Sequence, residues 1–206
     1  MKTHRRNSIV YQPASVLHAP ALDPPNKRVP IGWSAVPIGG ADNPLIIKWN
    51  ADASAVRMDR HARMRISIAI EIREQLIVEA YLLNTDTVLG TFDIRYAYVF
   101  QPFEIHLTPK QTKAALSEGV GLRIINSSNA LWIFDALAGN PNKSFFTPHL
   151  CQGETARLED ALLERMLSLS SLQPFGWFEG CVLDGLYDLR AIAGAEKAER
   201  VIWQHL

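Results

Sequence analysis

A tryptophan and two aspartates near the C-terminal end have the residue types and the spacing of a binding surface. Trp177, Asp184 and Asp188 stand at helical intervals, so a helix would place them on one face together with Cys181. Carboxylates transfer protons and accept hydrogen bonds, and an aromatic face packs on the C–H surface of a sugar. We therefore predict Trp177, Asp184 and Asp188 as substrate-binding residues and identify no catalytic residue. The same pattern also suits a solvated helix face.

Other reactive residue types lack specific motifs. His149, Cys151, Cys181 and His205 could be assembled into a metal site, but the two cysteines have no Cys-x-x-Cys spacing. Residues 168–171 lack the Gly-x-Ser-x-Gly pattern of a nucleophilic serine, and residues 119–121 lack the third glycine of a dinucleotide loop. We predict neither a metal nor a cofactor.

Composition limits the classes of partner. The 206 residues carry 21 basic and 21 acidic side chains, so no net field favours nucleic acid. No stretch approaches the ~18 consecutive apolar residues of a membrane span. The basic N-terminus lacks the apolar run of a secretory signal. The expected location is the cytoplasm, with no membrane or nucleic-acid partner.

A β-sandwich over residues 44–136 is predicted to precede the helices that carry the candidate site. In residues 65–73, isoleucine alternates with smaller or polar residues, which is typical of a strand with one face on a core. The pattern predicts that Ile66, Ile68, Ile70 and Ile72 face one core. Further segments rich in β-branched and aromatic residues predict strands at 45–50, 76–83, 87–94, 95–100, 104–107, 120–125 and 131–134.

A proline-rich arm precedes the sandwich, and one helix interrupts the sandwich. Prolines exclude a helix of useful length from residues 1–43, but apolar residues such as Trp33 predict that this arm packs on another part of the protein. Thr108-Pro-Lys-Gln111 is typical of a capping box with proline at the first helical position. It predicts a short helix that ends at Gly119.

Residues 137–206 form the predicted helical segment, and the fold class is α+β. After a loop, one helix begins at Thr155 with Leu158, Ala161, Leu162 and Leu169 on its apolar stripe. The next helix has its predicted buried stripe at Phe178, Val182, Leu186, Leu189 and Ala193. Gly194 ends it, and the last helix is expected to bury Ala198, Val201 and Ile202.

Residues 177–206 resemble the first helical hairpin of the six-hairpin barrel glycosidases, in particular the unsaturated uronyl hydrolase type. The resemblance depends on Trp177, Gly180, the pair Gly185-Leu186, Leu189 and Gly194. The turn Ala193-Gly194-Ala195 departs from the Thr-Gly-Asp-like turn of that family. The resemblance implies an accessory sandwich before an (α/α)6 barrel that cleaves oligosaccharides or their unsaturated uronic ends.

Only the first hairpin of such a barrel falls within the chain, so we expect a fragment that is inactive by itself. Its partners would be an oligosaccharide and the missing C-terminal helices, or another protein that covers the last helices. Gly180 and Gly185 would allow close approach of a helix or of a sugar ring, at a cost of ~0.5–1 kcal/mol each in helix stability. The alternative is a complete, non-catalytic binding or assembly protein with a β-sandwich core.

Overall fold

The computed structural model describes residues 10–24, 29, 33–50, 55–135, 146–153, 162, 163, 166, 167 and 177–205. Residues 10–152 form one compact unit, and residues 153–206 belong to a second. Among the described residues, the first unit contains antiparallel strands and one helix, and the second contains the C-terminal helices. The chain therefore has an α+β fold with a β-sandwich followed by helices, which confirms the predicted fold class.

The strands pair only in antiparallel fashion in the described part of the chain. Their bounds are β1 (Val10–Pro13), β2 (Ser15–His18), β3 (Ser34–Ile38), β4 (Leu45–Lys48), β5 (Ala62–Ser67), β6 (Gln75–Leu82), β7 (Val88–Arg95), β8 (Pro102–Leu107), β9 (Val120–Ile124), β10 (Leu131–Asp135) and β11 (His149–Gln152). A four-stranded sheet has the order β1-β11-β5-β8, a five-stranded sheet has the order β2-β4-β9-β6-β7, and β3 pairs with β10.

The helices are α1 (Pro109–Glu118) in the first unit, and α2 (Trp177–Asp188), α3 (Arg190–Ala193) and α4 (Ala195–His205) in the second. No helix in the described ranges is both long and apolar enough to span a membrane. The helix predicted from Thr155 lies largely outside the described residues. Leu162, which was predicted on its apolar stripe, is exposed.

Alternate residues of the two larger sheets form one apolar core. Met64 of β5 lies opposite Ile105 of β8 and Leu150 of β11, and all three are buried in the same cluster as Val78 and Leu122 of the five-stranded sheet. Side chains at every second position of a strand share a face. The sandwich core therefore follows from the alternation within each strand.

The prediction for the isoleucine-rich segment is only partly right. Ile66 and Ile68 belong to the core cluster, but Ile70 is buried outside it and Ile72 is only half-buried. Strand β5 ends at Ser67, which is its last residue paired with β8. Two residues later the backbone bonds to β10 instead, since the amide of Ala69 donates to the carbonyl of Trp132 at 2.9 Å. Ser67 is also buried, as are all of residues 66–70, so this part of the segment is covered on both sides.

The proline-rich arm contributes strands to the sandwich, whose unit extends beyond the predicted range of 44–136. Strands β1, β2 and β3 come from this arm, and β11 follows the predicted end of the sandwich. Trp33 packs against Phe134 with ring centroids 4.7 Å apart. Pro13 lies in an edge strand, where a missing backbone N–H costs no ladder hydrogen bond.

Helix α1 confirms the predicted capping box. The Thr108 hydroxyl accepts a hydrogen bond from the Gln111 amide at 3.3 Å, and the Gln111 side chain accepts one from the Thr108 amide at 3.0 Å. Pro109 occupies the first turn, and Gly119 follows the helix with φ of 88°. Ala115 and Leu116 pack in the core.

We expect Gly121→Ala to destabilise the sandwich by about 2 kcal/mol, because the Tyr81 ring would have to move from its place beside Gly121. A Cβ at Gly121 would overlap the Tyr81 ring, which the Arg123 guanidinium covers with its central carbon 4.2 Å from the ring centroid. Urea unfolding measures the effect. Gly40→Ala is the control, because no described atom lies within 4 Å of its Cβ position. Equal effects of the two changes would contradict the prediction.

Candidate functional site

The predicted binding residues lie on an exposed face of α2. Trp177 begins the helix with 81% of its surface exposed, and Cys181, Asp184 and Asp188 are exposed as well. The opposite face is covered, since Leu186 is fully buried. The helical period thus brings an indole and two carboxylates to one surface, which we call the α2 face (Trp177, Cys181, Asp184 and Asp188).

Helix α2 is held by the helices that follow it. Arg190 forms an ion pair with Glu199 of α4 at 2.7 Å, and its guanidinium lies 4.7 Å from the centroid of the Tyr187 ring. Ala198 and Val201 of α4 are buried, and Ile202 is half-buried. These contacts fix the helix that carries the α2 face.

The predicted buried stripe of α2 is wrong at one end. Leu186 is buried and Val182, Leu189 and Ala193 are half-buried, but Phe178 is 68% exposed. Glu179 takes a buried position that the sequence pattern did not predict. The buried stripe is therefore shifted by one residue in the first turn, and Phe178 adds an aromatic side chain beside the α2 face.

The two glycines of α2 have different surroundings. A Cβ at Gly185 would be in ordinary contact with Met166, 3.6 Å from its Cε atom. At Gly180, no described atom lies within 4 Å of the position that a Cβ would take. Packing among the described residues therefore gives no reason for glycine at position 180, which lies between Trp177 and Asp184 on the helix surface.

The α2 face places chemically different groups on one exposed surface. An exposed indole offers a flat apolar surface, and two carboxylates offer hydrogen-bond acceptors to hydroxyl groups. No three His, Cys, Asp or Glu side chains in the described part of the chain are placed to hold a metal ion. Cys151 is buried and Cys181 is exposed, and the side chain of His205 lies outside the described residues.

The structure reveals a second cluster that the sequence did not predict, on the outer side of the four-stranded sheet. We call it the Arg–Glu cluster (Arg63, Arg65, Glu104, His149 and Cys151). Glu104 accepts hydrogen bonds from Arg65 Nε at 2.7 Å and from Arg63 Nη1 at 3.1 Å. Burial works to raise the pKa of Glu104, but Arg65 and Arg63 outweigh burial and hold it below its ordinary value.

His149 and Cys151 of the Arg–Glu cluster are fully buried. His149 donates from Nδ1 to the Thr147 carbonyl at 2.8 Å, and its Nε2 has no hydrogen-bond partner in the described part of the protein. Burial and, next, the positive charge of Arg65 lower the pKa of His149 to about 4. The edge of the Tyr11 ring packs on the imidazole, with centroids 5.6 Å apart.

Burial is also the largest influence on Cys151 and raises the pKa of its thiol. A neutral thiol is a poor nucleophile and a poor metal ligand. Because His149 and Cys151 are closed to solvent, the Arg–Glu cluster has the features of a structural core rather than of a reactive centre. Only one feature of the sequence points to this cluster. Arg63 and Arg65 are two residues apart, as are His149 and Cys151, and this spacing places each pair on one face of a strand.

Comparison with protein-family models, with curated proteins and with solved structures returns no match for this chain.

Proposed function

We propose that the protein is carbohydrate-active and that its α2 face binds an oligosaccharide. In this proposal the helices begin a glycosidase-like helical barrel and the sandwich is its accessory domain. Trp177 would stack on a sugar ring, while Asp184 and Asp188 would accept hydrogen bonds from its hydroxyls. Sugar sites combine an apolar surface with polar groups, and the α2 face has an exposed indole and two exposed carboxylates.

The main support for the proposal is Gly180, where no described atom lies within 4 Å of the position of a Cβ. A glycine inside a helix costs ~0.5–1 kcal/mol relative to alanine, and no described neighbour needs the space over this one. Asp184 and Asp188 add a mild repulsion at i, i+4. A ligand that lies against the helix between Trp177 and Asp184 would explain both unfavourable features.

The alanine substitution of Gly180 tests the proposal, because stability and binding should change in opposite directions. Gly180→Ala is expected to raise the free energy of unfolding by ~0.5–1 kcal/mol through helix propensity. The added methyl group should weaken oligosaccharide binding by about tenfold, or ~1.4 kcal/mol. Isothermal titration with cellohexaose, xylohexaose and hexagalacturonate would measure binding, and urea unfolding would measure stability.

Gly185→Ala is the matched control for this test. It adds the same methyl group to the same helix, in a place where Met166 provides ordinary contact. It should keep the affinity of the wild-type chain. If Gly180→Ala leaves the affinity for every bound hexasaccharide unchanged, no sugar lies against the helix at this position.

A binding or assembly role is the second candidate, because the helices expose large apolar side chains. Phe178, Ile192 and Trp203 are each more than two-thirds exposed, and large apolar surface is typical of protein contacts. Sedimentation of the wild-type chain and of Trp203→Ser distinguishes the two roles. An assembly that Trp203→Ser dissociates, in a chain that binds no hexasaccharide, would favour this second function.

A further inference from the structure

The sandwich carries exposed tyrosines on a loop between β7 and β8. Tyr96 is 67% exposed and Tyr98 is 64% exposed, whereas Ala97 between them is buried. Both rings are therefore exposed to solvent, while the buried Ala97 anchors the backbone between them. We call residues 96–101 the tyrosine loop.

The backbone of the tyrosine loop is strained at two non-glycine residues. Tyr96 has φ of 48° and Phe100 has φ of 69°, in the left-handed region that bulky residues rarely adopt. Such conformations persist only where the surrounding structure imposes them, and they are concentrated at ligand-binding sites. Glycine or asparagine at position 96 would adopt this backbone with less strain. The presence of tyrosine there therefore requires an explanation.

Hydrogen bonds hold the loop in this strained form. The amide of Ile72 donates to the Ala97 carbonyl at 2.9 Å, and the amide of Phe100 donates to the Ile68 carbonyl at 2.8 Å. The Tyr98 amide donates to the side chain of Gln101 at 3.1 Å. A loop tied on both sides presents its aromatic groups without a large entropy cost on binding.

Packing anchors the C-terminal end of the loop. The ring of Phe100 stacks on Phe134 with centroids 4.9 Å apart, and Trp33 and Phe146 complete this cluster. Phe100 thus packs in an aromatic cluster, while Tyr96 and Tyr98 are exposed. One strained residue, Tyr96, thus carries a displayed ring, and the other, Phe100, carries the anchoring ring.

A fixed array of polar groups adjoins the tyrosines. Arg95 precedes Tyr96 and donates to Asp93 from Nε at 3.0 Å and from Nη2 at 2.7 Å. Gln75, opposite Arg95 on β6, donates to the same carboxylate at 2.8 Å. These exposed groups hold one another in place and retain donors and acceptors for a further partner.

The local charge favours an uncharged partner. Arg95 is paired with Asp93, and Arg73 lies 3.5 Å from Glu71. The cationic groups beside the tyrosine loop therefore have carboxylate neighbours, and an anionic ligand gains little attraction there. Flat aromatic groups beside fixed hydrogen-bonding groups match a ligand with C–H faces and many hydroxyls.

We propose that the tyrosine loop and the Gln75–Asp93–Arg95 array form a second binding site on the sandwich for a neutral oligosaccharide. Tyr96 and Tyr98 stack on sugar rings, and Gln75, Asp93 and Arg95 bind hydroxyls. The sandwich then holds the polysaccharide for the helical unit, an inference that rests on the proposed function.

Titration of the full chain with cellohexaose, xylohexaose and hexagalacturonate tests the second site. Tyr96→Asn removes one ring but suits the left-handed backbone, so the fold is kept. We expect it and Tyr98→Ser each to weaken binding of a neutral hexasaccharide by about tenfold, with no fall in the thermal unfolding midpoint. Tyr96→Phe and Tyr98→Phe keep the stacking surface and should retain affinity within about threefold.

The variant Trp177→Ala separates the second site from the proposed function. Loss of affinity in the tyrosine variants, with retention in Trp177→Ala, supports the second site even if the α2 face binds no sugar. Loss only in Trp177→Ala overturns the second site and leaves the proposed function intact. If the tyrosine loop binds hexagalacturonate more tightly than both neutral sugars, the proposal of a neutral ligand is wrong. If the chain binds none of the three sugars, both proposals are wrong.

Discussion

Glu104→Gln is expected to lower the free energy of unfolding by about 2–3 kcal/mol, because it leaves two guanidinium groups in a largely covered site without a negative charge. The carboxylate accepts hydrogen bonds from both Arg63 and Arg65, and its side chain is only 22% exposed. Glutamine has the same size but offers one acceptor oxygen and no charge. Urea unfolding at neutral pH measures the loss.

Asp59→Asn provides the matched control for Glu104→Gln. Asp59 also forms a two-pronged contact with an arginine, Arg57, at 3.0 and 2.7 Å. Both of these side chains are mostly exposed, so water replaces the lost contact. The urea midpoint of Asp59→Asn should stay at the wild-type value. A similar shift of both midpoints would show that the Arg–Glu cluster is no more than a surface ion pair.

The stability of the chain is expected to fall by about 3 kcal/mol between pH 6.5 and pH 4 through His149 alone. Its pKa is about 4 in the folded protein, whereas an unfolded histidine titrates near 6.5. Between these values the unfolded chain binds more protons than the folded chain, so each decrease in pH favours unfolding. The contribution is complete above pH 6.5 and is lost as pH falls to 4.

Comparison with His149→Gln isolates this effect from the titration of carboxylates. The variant should lose less stability than the wild type over the same pH range, measured by urea unfolding at each pH. His106→Gln, at an exposed histidine of the neighbouring strand β8, serves as the comparison for replacing a histidine by glutamine. Identical pH profiles for the wild type and His149→Gln would contradict a buried neutral imidazole.

Local patterns in the sequence predicted those elements that local interactions determine. The capping box at Thr108 and Gln111 needs only residues three apart, and it formed as expected. The last helix likewise buries Ala198 and Val201, which its period placed inside. Segments rich in β-branched and aromatic residues also located β6, β9 and β10 within a residue or two, because such side chains suit a strand that packs on a core.

Pairing between distant parts of the chain was not predictable from local patterns. Strand β11 has four residues and lies between β1 and β5, so its pairing partners come from residues 10–13 and 63–65. The sequence showed the spacing of Arg63 and Arg65 but gave no sign that Glu104 would lie opposite Arg65. The Arg–Glu cluster depends on this register, and so it could be found only in the folded chain.

The candidate site on α2 was predictable because it lies on one helix. A period of 3.6 residues places Trp177, Asp184 and Asp188 together without any knowledge of the rest of the fold. The error at Phe178 has the same origin, since α2 has apolar residues on several sides and its period does not fix which side is covered. Glu179 is buried there instead.

The most direct test of the α2 face is a titration of the five tryptophan indole N–H resonances by NMR. Trp177→Phe assigns the signal of Trp177, and cellohexaose, xylohexaose and hexagalacturonate are added in turn. Trp203 is also exposed, at 75%, and serves as an internal control for non-specific contact. We expect a saturable shift of the Trp177 signal while that of Trp203 stays in place; a Trp177 signal that does not move, or that moves only together with that of Trp203, would rule out sugar binding at the α2 face.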